Sequence, residues 1–236
     1  MTTTTFDSGG KKITVELFLP AASGSHPAVV LAYGTEGLGV ILGHDVGAAL
    51  RDFAQHLARA GFVVLLPHFF ERSGTPEGFA TVSHDYPAHH GEWLDTLGDC
   101  LNFAASRPEV DKKAKRGLLG FSLGGNLALR RAKLKPGVAA GAVVEFYAPI
   151  SQGPFNGLAD HLGDLPLVQI HHGDADQIVP ITQSDELAGR LVKAGKVQGA
   201  DFEYHKYKGE GHGFRGADAI KLSKERTTDF FKKHLV

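Results

Sequence analysis

The chain has few of the features that mark a secreted, membrane-bound or nucleic-acid-binding protein. Its 236 residues contain one cysteine, Cys100, so no disulfide can form within the chain and a reducing compartment suits it. No apolar run approaches the roughly 20 residues of a membrane span. The 25 basic residues balance 26 acidic ones, and residues 1–6 lack the basic and apolar regions of a secretory signal. These absences predict a cytoplasmic protein without a nucleic-acid or membrane partner.

Compact metal-binding signatures are also missing, although the chain has 13 histidines. His84, His89 and His90 form one group, and His171 and His172 form another. Metal ligands must converge on one point, whereas neighbouring residues of a strand point to opposite faces of the sheet. We therefore predict no metal site, and we expect His172 to pack or to form a structural hydrogen bond.

The most informative motif that is present lies at residues 120–124, which read G-x-S-x-G. It follows the apolar residues 117–119 and precedes a helical pattern over 126–133. A strand, a tight turn and a helix in this order form the nucleophile elbow of an α/β-hydrolase. The turn strains the nucleophile and requires small neighbours, and the next amide can stabilise an oxyanion. The motif predicts Ser122 as the nucleophile and the Leu123 amide as an oxyanion donor.

An acid and a histidine for this serine follow in the chain order that the α/β-hydrolase fold requires. These partners matter because G-x-S-x-G alone could arise by chance in a chain with 30 glycines. The apolar residues 167–170 lead into a turn with Asp174 and Asp176, and the alternating residues 202–207 precede His212, which lies between two glycines. Sites of open α/β sheets lie at such strand ends. The sequence thus predicts a serine–histidine–aspartate triad with His212 as the base.

Strand and helix patterns alternate along a single domain that spans residues 1–236, without internal repeats. Continuous apolar runs are typical of parallel strands that are covered on both faces, and their alternation with helices predicts a mostly parallel sheet. Strands are predicted at 12–19, 29–33, 62–66, 118–121, 140–147, 167–170 and 202–207. Helices are predicted at 46–60, 92–106, 126–133, 184–194 and 219–234. The predicted fold class is α/β, an α/β-hydrolase fold with helices on both faces of a central sheet.

Together these motifs resemble the dienelactone hydrolase family of α/β-hydrolases over nearly the whole chain. The resemblance rests on residues 27–32, 36–39, 60–67, 120–125, 172–180 and 211–214. The family's Gly-x-x-Asp-x-x-Val-Pro pattern implies that Asp176, three residues before Val179, is the acid. Asp174 is then a turn residue whose side chain satisfies backbone amides. The resemblance also implies that Glu36 reaches the nucleophile and tunes its protonation, that the Gly37 amide is the second oxyanion donor, and that no cofactor is needed.

One residue departs from the family's pattern. Members active on dienelactones have a cysteine at the elbow, whereas this chain has Ser122, and Cys100 lies 22 residues earlier in a helical segment. Serine depends more than cysteine on a general base, here His212. Tuning by Glu36 is then less needed, and its alternative role is to cap a backbone amide or face solvent. The resemblance implies hydrolysis of an ester or lactone bond in a small molecule through an acyl-enzyme.

The segment 69–91 interrupts the alternation of strands and helices with many turn residues. It follows a predicted strand on the side of the triad, so we expect a loop that lines the substrate pocket; the alternative is a surface connection without a role. Arg72 in this segment and Arg215, three residues after His212, are candidates to hold a substrate carboxylate. The family's arginine follows the histidine by one residue more, and an ordinary surface charge is the alternative for both residues.

Two other classes of function stay open. Residues 37–43 follow an apolar strand like a dinucleotide-binding loop, but their spacing is one residue too long for G-x-G-x-x-G and no acid ends the next strand. Bound nicotinamide or flavin in the purified protein would indicate such a nucleotide-dependent oxidoreductase. A hydrolase fold that only binds a small molecule is the other alternative, and a folded protein without serine reactivity would favour it.

Overall fold

The computed structural model of the chain describes residues 1–41, 44–134, 138–158 and 162–236. Leu42 and Gly43, the end of the loop considered for dinucleotide binding, lie outside the described residues. The strands are β1 (Thr2–Ser8), β2 (Lys11–Phe18), β3 (Ala28–Ala32), β4 (Val40–Ile41), β5 (His44–Asp45), β6 (Val63–Pro67), β7 (Arg116–Phe121), β8 (Ala140–Phe146), β9 (Leu167–Gly173) and β10 (Phe202–Tyr207). The α-helices are α1 (Val46–Arg59), α2 (Phe79–Ser106), α3 (Leu123–Lys133), α4 (Thr182–Lys193) and α5 (Ala217–Leu235).

The main sheet is open and mostly parallel, in the order β1-β2-β6-β3-β7-β8-β9-β10. β2 runs antiparallel to β1 and β6, and each neighbouring pair from β6 to β10 is parallel. Residues of β7 face alternately to the two sides, since Gly117 abuts Phe231 of α5 and Gly120 abuts the first turn of α3. Helices therefore cover both faces, and the predicted fold class is confirmed.

The central strands form the core of the molecule. β3 and β6 are buried along their whole length, which is why their sequences are continuous apolar runs instead of alternating ones. Burial on both faces fixes the strand ends, and the loops that carry the predicted site residues start from these ends.

Helix α1 forms close to its prediction because its sequence has both a start and a stop signal. Asp45 accepts a hydrogen bond from the Ala48 amide at 2.7 Å, which satisfies one of the donors that a helix leaves free in its first turn. Gly61 follows the helix with a φ of 103°, a conformation that favours glycine. Leu50 and Leu57 are buried on one face of the helix, which packs against β6.

The segment 69–91 is the main departure from the predicted fold. Phe69–Arg72 forms a short 3-10 helix, and α2 begins at Phe79 instead of at residue 92. The expectation of a loop is therefore wrong for residues 79–91.

Pro87 explains why the sequence pattern concealed this part of α2. A proline inside a helix lacks the amide donor and crowds the preceding turn, so it ordinarily argues against a helix. Here contacts with α3 stabilise the segment: Tyr86 is buried and its hydroxyl donates to Asn126 Oδ1 at 2.9 Å. Arg130 Nη1 donates to the same hydroxyl at 2.8 Å.

Three further strands, β1, β4 and β5, were not predicted. The threonine-rich β1 pairs with β2 from Thr2 opposite Leu17 to Ser8 opposite Lys11, and β4 and β5 form a small antiparallel pair. In the part of the chain that the structure describes, no helix combines the length and the apolar composition that crossing a membrane would require.

Candidate active site

Ser122 lies between the last residue of β7 and the first residue of α3. Its backbone has φ 53° and ψ −119°, a strained region for a residue with a side chain. The flanking positions must be glycine because neither has space for a side chain. A Cβ on Gly120 would lie 2.1 Å from the Gly124 carbonyl oxygen, and a Cβ on Gly124 would lie 2.1 Å from the Ala32 carbonyl oxygen. This is the geometry of a nucleophile elbow.

Of the two amides predicted to stabilise an oxyanion, the structure leaves one free. The Leu123 amide opens α3 and has no acceptor among the described residues, as helix geometry dictates for a first turn. The Gly37 amide instead donates to the Gly34 carbonyl at 3.1 Å and closes a turn, so the oxyanion role of Gly37 stays a prediction. The amides of Thr35 and Glu36 have no acceptor in the described parts of the chain.

The loop after β3 passes directly beside the nucleophile. A Cβ on Gly34 would lie 3.3 Å from Ser122 Cβ, so a larger residue would crowd the serine. Within this loop, Glu36 is partly buried and accepts a long hydrogen bond of 3.4 Å from the Thr35 hydroxyl. No hydrogen bond between Glu36 and Ser122 is found in the described chain, so the tuning role of Glu36 stays a prediction.

Residues just before α2 hold this loop in place. The Gly78 amide donates to the Thr35 carbonyl at 2.8 Å, and the Leu38 amide donates to Glu77 Oε1 at 2.9 Å. The segment 69–91 therefore borders the loop beside Ser122, although most of it is helical.

Asp176 and His212 are in direct contact. Asp176 lies in the turn after β9, His212 lies in the loop after β10, and His212 Nδ1 is 2.8 Å from Asp176 Oδ2. An ionised carboxylate can only accept, so Nδ1 carries the proton, and Nε2 of the neutral imidazole is an acceptor, as a general base requires. The Asp176 side chain is fully buried, whereas the His212 side chain is 21% exposed. The imidazole can therefore reach a substrate.

The surroundings of Asp176 stabilise its charge. Burial acts to raise the pKa of Asp176, but hydrogen bonds from His172, His212 and the Val179 amide outweigh burial and hold this pKa well below its usual range. The Ile178 and Val179 amides both donate to Oδ1 at 2.9 Å. Asp176 is therefore an anion that can orient the imidazole and stabilise its charged form.

Two side chains that the sequence analysis missed fix the loop around His212. Glu210 accepts a hydrogen bond from the Arg215 amide at 2.7 Å. Phe214 is buried with a φ of 36°, and its ring packs 4.6 Å from the ring of Tyr207. The aromatic residue in the Gly-His-Gly-Phe motif was the available sequence signal for this anchor.

Tyr147 is a further residue that sequence reasoning did not find. It follows β8 with a φ of 42°, and its ring lies 4.4 Å from the His212 ring and 6.3 Å from that of Phe121, the neighbour of Ser122. Tyr147 thus lies between the elbow and the histidine. Ser122 Oγ has no hydrogen-bond partner among the described residues, and contacts of a nucleophile with its base often tighten only in the substrate complex.

Arg72, a candidate for holding a substrate carboxylate, makes structural contacts. Its Nη1 donates to Ser8 Oγ at 2.5 Å, and its guanidinium lies 3.8 Å from carboxylate oxygens of Glu92 and Asp99. These contacts join α2 to β1 and engage the guanidinium, and a role of Arg72 in substrate binding stays a prediction.

Arg215 remains close to the site. Its side chain is exposed, and its charge acts to lower the pKa of the Tyr147 phenol, which burial raises. A role for Arg215 in holding a substrate carboxylate stays a prediction.

The structural roles predicted for the turn after β9 are confirmed. Asp174 Oδ1 accepts from the Gly209 amide at 2.6 Å. His171 and His172 point to opposite faces, since His171 Nδ1 is 2.7 Å from the Tyr207 hydroxyl and His172 Nδ1 is 2.7 Å from the hydroxyl of Ser184 in α4.

Known proteins are similar to this chain in sequence and in fold. The model of the dienelactone hydrolase family matches residues 13–235. A putative carboxymethylenebutenolidase of Synechocystis sp. (strain ATCC 27184 / PCC 6803 / Kazusa) is 25% identical over 227 residues, which are 91% of this chain and 86% of that protein. A putative dienelactone hydrolase from Klebsiella pneumoniae subsp. pneumoniae MGH 78578 has a TM-score of 0.79 at 18% identity, covering 99% of this chain and 98% of that chain. At 18% identity, the similarity to the Klebsiella pneumoniae structure shows only that the two proteins share a fold.

Other curated relatives are longer proteins. Mouse acyl-coenzyme A thioesterase 1 is 28% identical over 134 residues, which are 56% of this chain and 27% of that protein. The match with this chain thus spans about a quarter of the length of such relatives. The family match, by contrast, extends from β2 to the end of α5. The chain therefore belongs to the dienelactone hydrolase family and has the α/β-hydrolase fold.

Proposed function

We propose that this protein is a serine hydrolase that cleaves ester or lactone bonds of small molecules through Ser122, His212 and Asp176. The hydrogen bond between His212 and the buried Asp176 at 2.8 Å carries this proposal. A histidine oriented by a buried carboxylate, at the same sheet edge as a strained serine, suits acyl transfer. Membership of the dienelactone hydrolase family supports ester and lactone substrates.

Acylation would begin with attack of Ser122 Oγ on the substrate carbonyl carbon. The hydroxyl proton passes to His212 Nε2, and the resulting imidazolium is stabilised by Asp176. The carbonyl oxygen becomes an oxyanion that accepts a hydrogen bond from the Leu123 amide, where the N-terminal end of α3 also favours negative charge. His212 then gives its proton to the leaving alkoxide oxygen as the C–O bond breaks.

Deacylation repeats these steps with water as the nucleophile. His212 accepts a proton from water, the hydroxide attacks the acyl carbon, and the serine oxygen leaves with the proton that His212 returns. When the substrate is a lactone, the leaving alcohol stays attached to the acyl group, so the product is a hydroxy acid. The triad supplies every proton transfer, so this route needs no cofactor.

The second oxyanion donor that we propose is the amide of Thr35 or Glu36. Both amides lack acceptors in the described chain and belong to the loop beside Ser122, whereas the Gly37 amide is engaged in a turn. Removal of one oxyanion donor costs about 10²–10³ in rate in serine proteases, so a second donor in this loop would contribute substantially.

Thioester hydrolysis is a second candidate function. The matches to mouse and human acyl-coenzyme A thioesterases, over about half of this chain, favour it. The same nucleophile, base and oxyanion donor would act on a thioester, with a thiolate as the leaving group.

Replacement of the nucleophile tests the proposal. Ser122→Ala removes the attacking oxygen and leaves the fold in place, so we expect turnover to fall by roughly 10³-fold or more at unchanged thermal stability. The measurement is turnover of a short activated ester, a panel of unsaturated lactones and an acyl-coenzyme A thioester by wild type and variant.

The matched control is Ser106→Ala, because the Ser106 hydroxyl only donates to the Phe103 carbonyl within α2. Turnover that survives in Ser122→Ala would show that the nucleophile is assigned wrongly. A folded wild-type protein that turns over none of the substrates would favour the non-catalytic binding alternative. The ratio of lactone to thioester turnover distinguishes the two candidate substrates.

A further inference from the structure

A chain of four buried polar side chains runs from the triad acid into α4 and β8. His172 Nε2 lies 3.3 Å from Asp176 Oδ2 and 2.8 Å from the Val179 carbonyl oxygen. On the other side of the ring, His172 Nδ1 lies 2.7 Å from Ser184 Oγ, which lies 3.5 Å from Glu145 Oε1. None of these side chains reaches solvent to a significant extent. Each must therefore satisfy its hydrogen bonds within the chain.

The contacts of His172 Nε2 determine where the imidazole proton lies. A backbone carbonyl and an ionised carboxylate can accept hydrogen bonds but cannot donate them. The charge of Asp176 is ensured by its other partners, since the Ile178 and Val179 amides both donate to Oδ1. His172 Nε2 therefore carries a proton, which it donates to the Val179 carbonyl at 2.8 Å, and the same nitrogen lies 3.3 Å from Asp176 Oδ2.

With the proton on Nε2, the neutral ring presents Nδ1 as an acceptor. Ser184 fits this need, because its hydroxyl can donate to Nδ1 at 2.7 Å. Glu145 completes the chain: its Oε2 accepts from the Ala148 amide at 2.8 Å, and burial raises its pKa to about 7. Glu145 Oε1 lies 3.5 Å from Ser184 Oγ, so the Ser184 hydroxyl is placed between Glu145 and His172 Nδ1.

We propose that His172 is a positioning residue of the triad, which donates from Nε2 to Asp176 and is held in this tautomer by Ser184 and Glu145. The inference rests on the proposed function, since it assigns Asp176 as the acid of a catalytic triad. Two hydrogen bonds from the backbone fix Asp176 Oδ1, whereas the partners of Oδ2 among the described residues are the imidazoles of His172 and His212. His172 thus completes the orientation of the oxygen that accepts from His212.

The consequence for His212 has a defined direction. Donation from His172 spreads part of the negative charge of Asp176 away from His212. Without this donation, Oδ2 would stabilise the positive charge that forms on His212 more strongly. The acid limb of the pH–rate profile would then move to higher pH, whereas a loss of stability alone would leave the limb in place.

Other charged and titratable groups also face these two histidines. The groups near His172 are Asp176 after β9, Glu145 of β8, Asp185 of α4 and Tyr147 after β8. The groups near His212 are Asp176 and Tyr147, with Arg215 next to Tyr147. The test compares variants at His172 itself, so all of these groups stay the same.

Labelling by a small fluorophosphonate reports on the triad without knowledge of the substrate. Ser122 Oγ bonds to phosphorus, the P–F bond breaks, fluoride leaves and His212 takes the serine proton. His172→Gln and His172→Asn form a matched pair, because the Gln amide nitrogen reaches the position of Nε2 and the Asn amide reaches only that of Nδ1. If Gln but not Asn at position 172 preserves the labelling rate, the rate depends on a hydrogen-bond donor at the position of Nε2, which faces Asp176.

We expect His172→Asn to label about 10- to 100-fold more slowly, as when outer partners of catalytic groups are removed. Its acid limb should move to higher pH than that of the wild type. His172→Gln should keep most of the rate and the wild-type limb. Acid limbs that coincide in both variants and in wild type would overturn the proposal.

His171→Asn is the control, because it alters the adjacent histidine, which is fully buried but faces β10, and it should leave the limb in place. If His172→Asn fails to fold, Ser184→Ala replaces it, because without the Ser184 hydroxyl the proton of His172 is no longer held on Nε2. We then expect a smaller shift in the same direction, and no shift overturns the proposal.

Failure of the proposed function would look different. A wild-type protein that is not labelled at any pH contradicts the triad itself. In that case, the nitrogen resonances of His172 still test the hydrogen bond: protonated Nε2 with unprotonated Nδ1 supports it, and the opposite tautomer overturns it.

Discussion

The backbone of Ser122 has a conformation that is unfavourable for a residue with a side chain. The close packing around Ser122 requires this conformation. The chain must turn from β7 into α3 within one residue, and Gly120 and Gly124 approach so closely that no side chain fits between them. The strain is balanced by the packing of strand and helix on either side. A residue of this kind is recognisable in the sequence because its small neighbours are a steric necessity.

Gly124→Ala tests this necessity. The new Cβ would lie 2.1 Å from the Ala32 carbonyl oxygen, so α3 must move away from β3. We expect a loss of about 1–3 kcal/mol in the free energy of unfolding and, because Ser122 and the Leu123 amide shift with the helix, a fall in turnover of about 10²-fold. Urea unfolding and ester turnover measure the two effects.

The control is Gly189→Ala in α4, where a Cβ would meet no atom within 4 Å. That substitution should stabilise the protein by roughly 0.5–1 kcal/mol, since alanine loses less entropy in a helix than glycine does. Equal effects of the two substitutions would contradict the steric argument.

At the scale of elements, the loop between β10 and α5 delivers His212 to the site. The loop is irregular, and it is held at both ends of its turn: Phe214 packs into the aromatic residues below it, and Glu210 accepts from the amides of Arg215 and Gly216. An imidazole on a loop needs such anchors because small displacements of a reacting group have large effects on rate.

Glu210→Ala would remove one of these anchors. The freed amides can still reach water, so we expect a loss of about 1 kcal/mol or less in stability. Turnover should fall by about 10- to 100-fold because His212 samples more positions. Thermal unfolding and turnover are the measurements, and Glu225→Ala on the exposed face of α5 is the control. A variant with wild-type turnover would show that Phe214 alone suffices.

Helix α2 shows how an element can escape sequence analysis. Pro87 and a loose apolar pattern indicate a break, yet Tyr86 is fixed by Asn126 and Arg130 of α3. The first half of the helix is therefore stabilised by residues about 40 positions away in the chain. A local sequence pattern does not include such contacts.

For the whole molecule, two buried carboxyl groups set opposite dependences of stability on pH. Burial raises the pKa of Glu145 from 4.5 to about 7. Between these values the unfolded chain has lost the proton that the folded protein keeps, so stability falls as pH rises. The pKa of Asp176 is instead lowered below 3.8, so its contribution is present above about pH 3.8 and is lost as pH falls through the folded value.

Glu145→Gln should separate the pH dependence of stability that comes from Glu145 from the one that comes from Asp176. The amide resembles the protonated carboxyl, so variant and wild type should be similarly stable near pH 4.5. At pH 8 the variant should be more stable by on the order of 3 kcal/mol, from about 2.5 pKa units at 1.36 kcal/mol each. Urea unfolding at both pH values measures the difference, with Glu225→Gln as the exposed control. A difference that is independent of pH would contradict a raised pKa of Glu145.

The central strands, the elbow and the order of acid and histidine could be predicted from the local sequence, because apolar runs and glycine turns are short-range patterns. The contact of Asp176 with His212 follows from strand ends that meet at one edge of a parallel sheet. The partners of Arg72 and the contacts that join His172, Ser184 and Glu145 arise between residues far apart in sequence. They depend on which side chains folding brings within hydrogen-bond distance, and no periodicity encodes that distance.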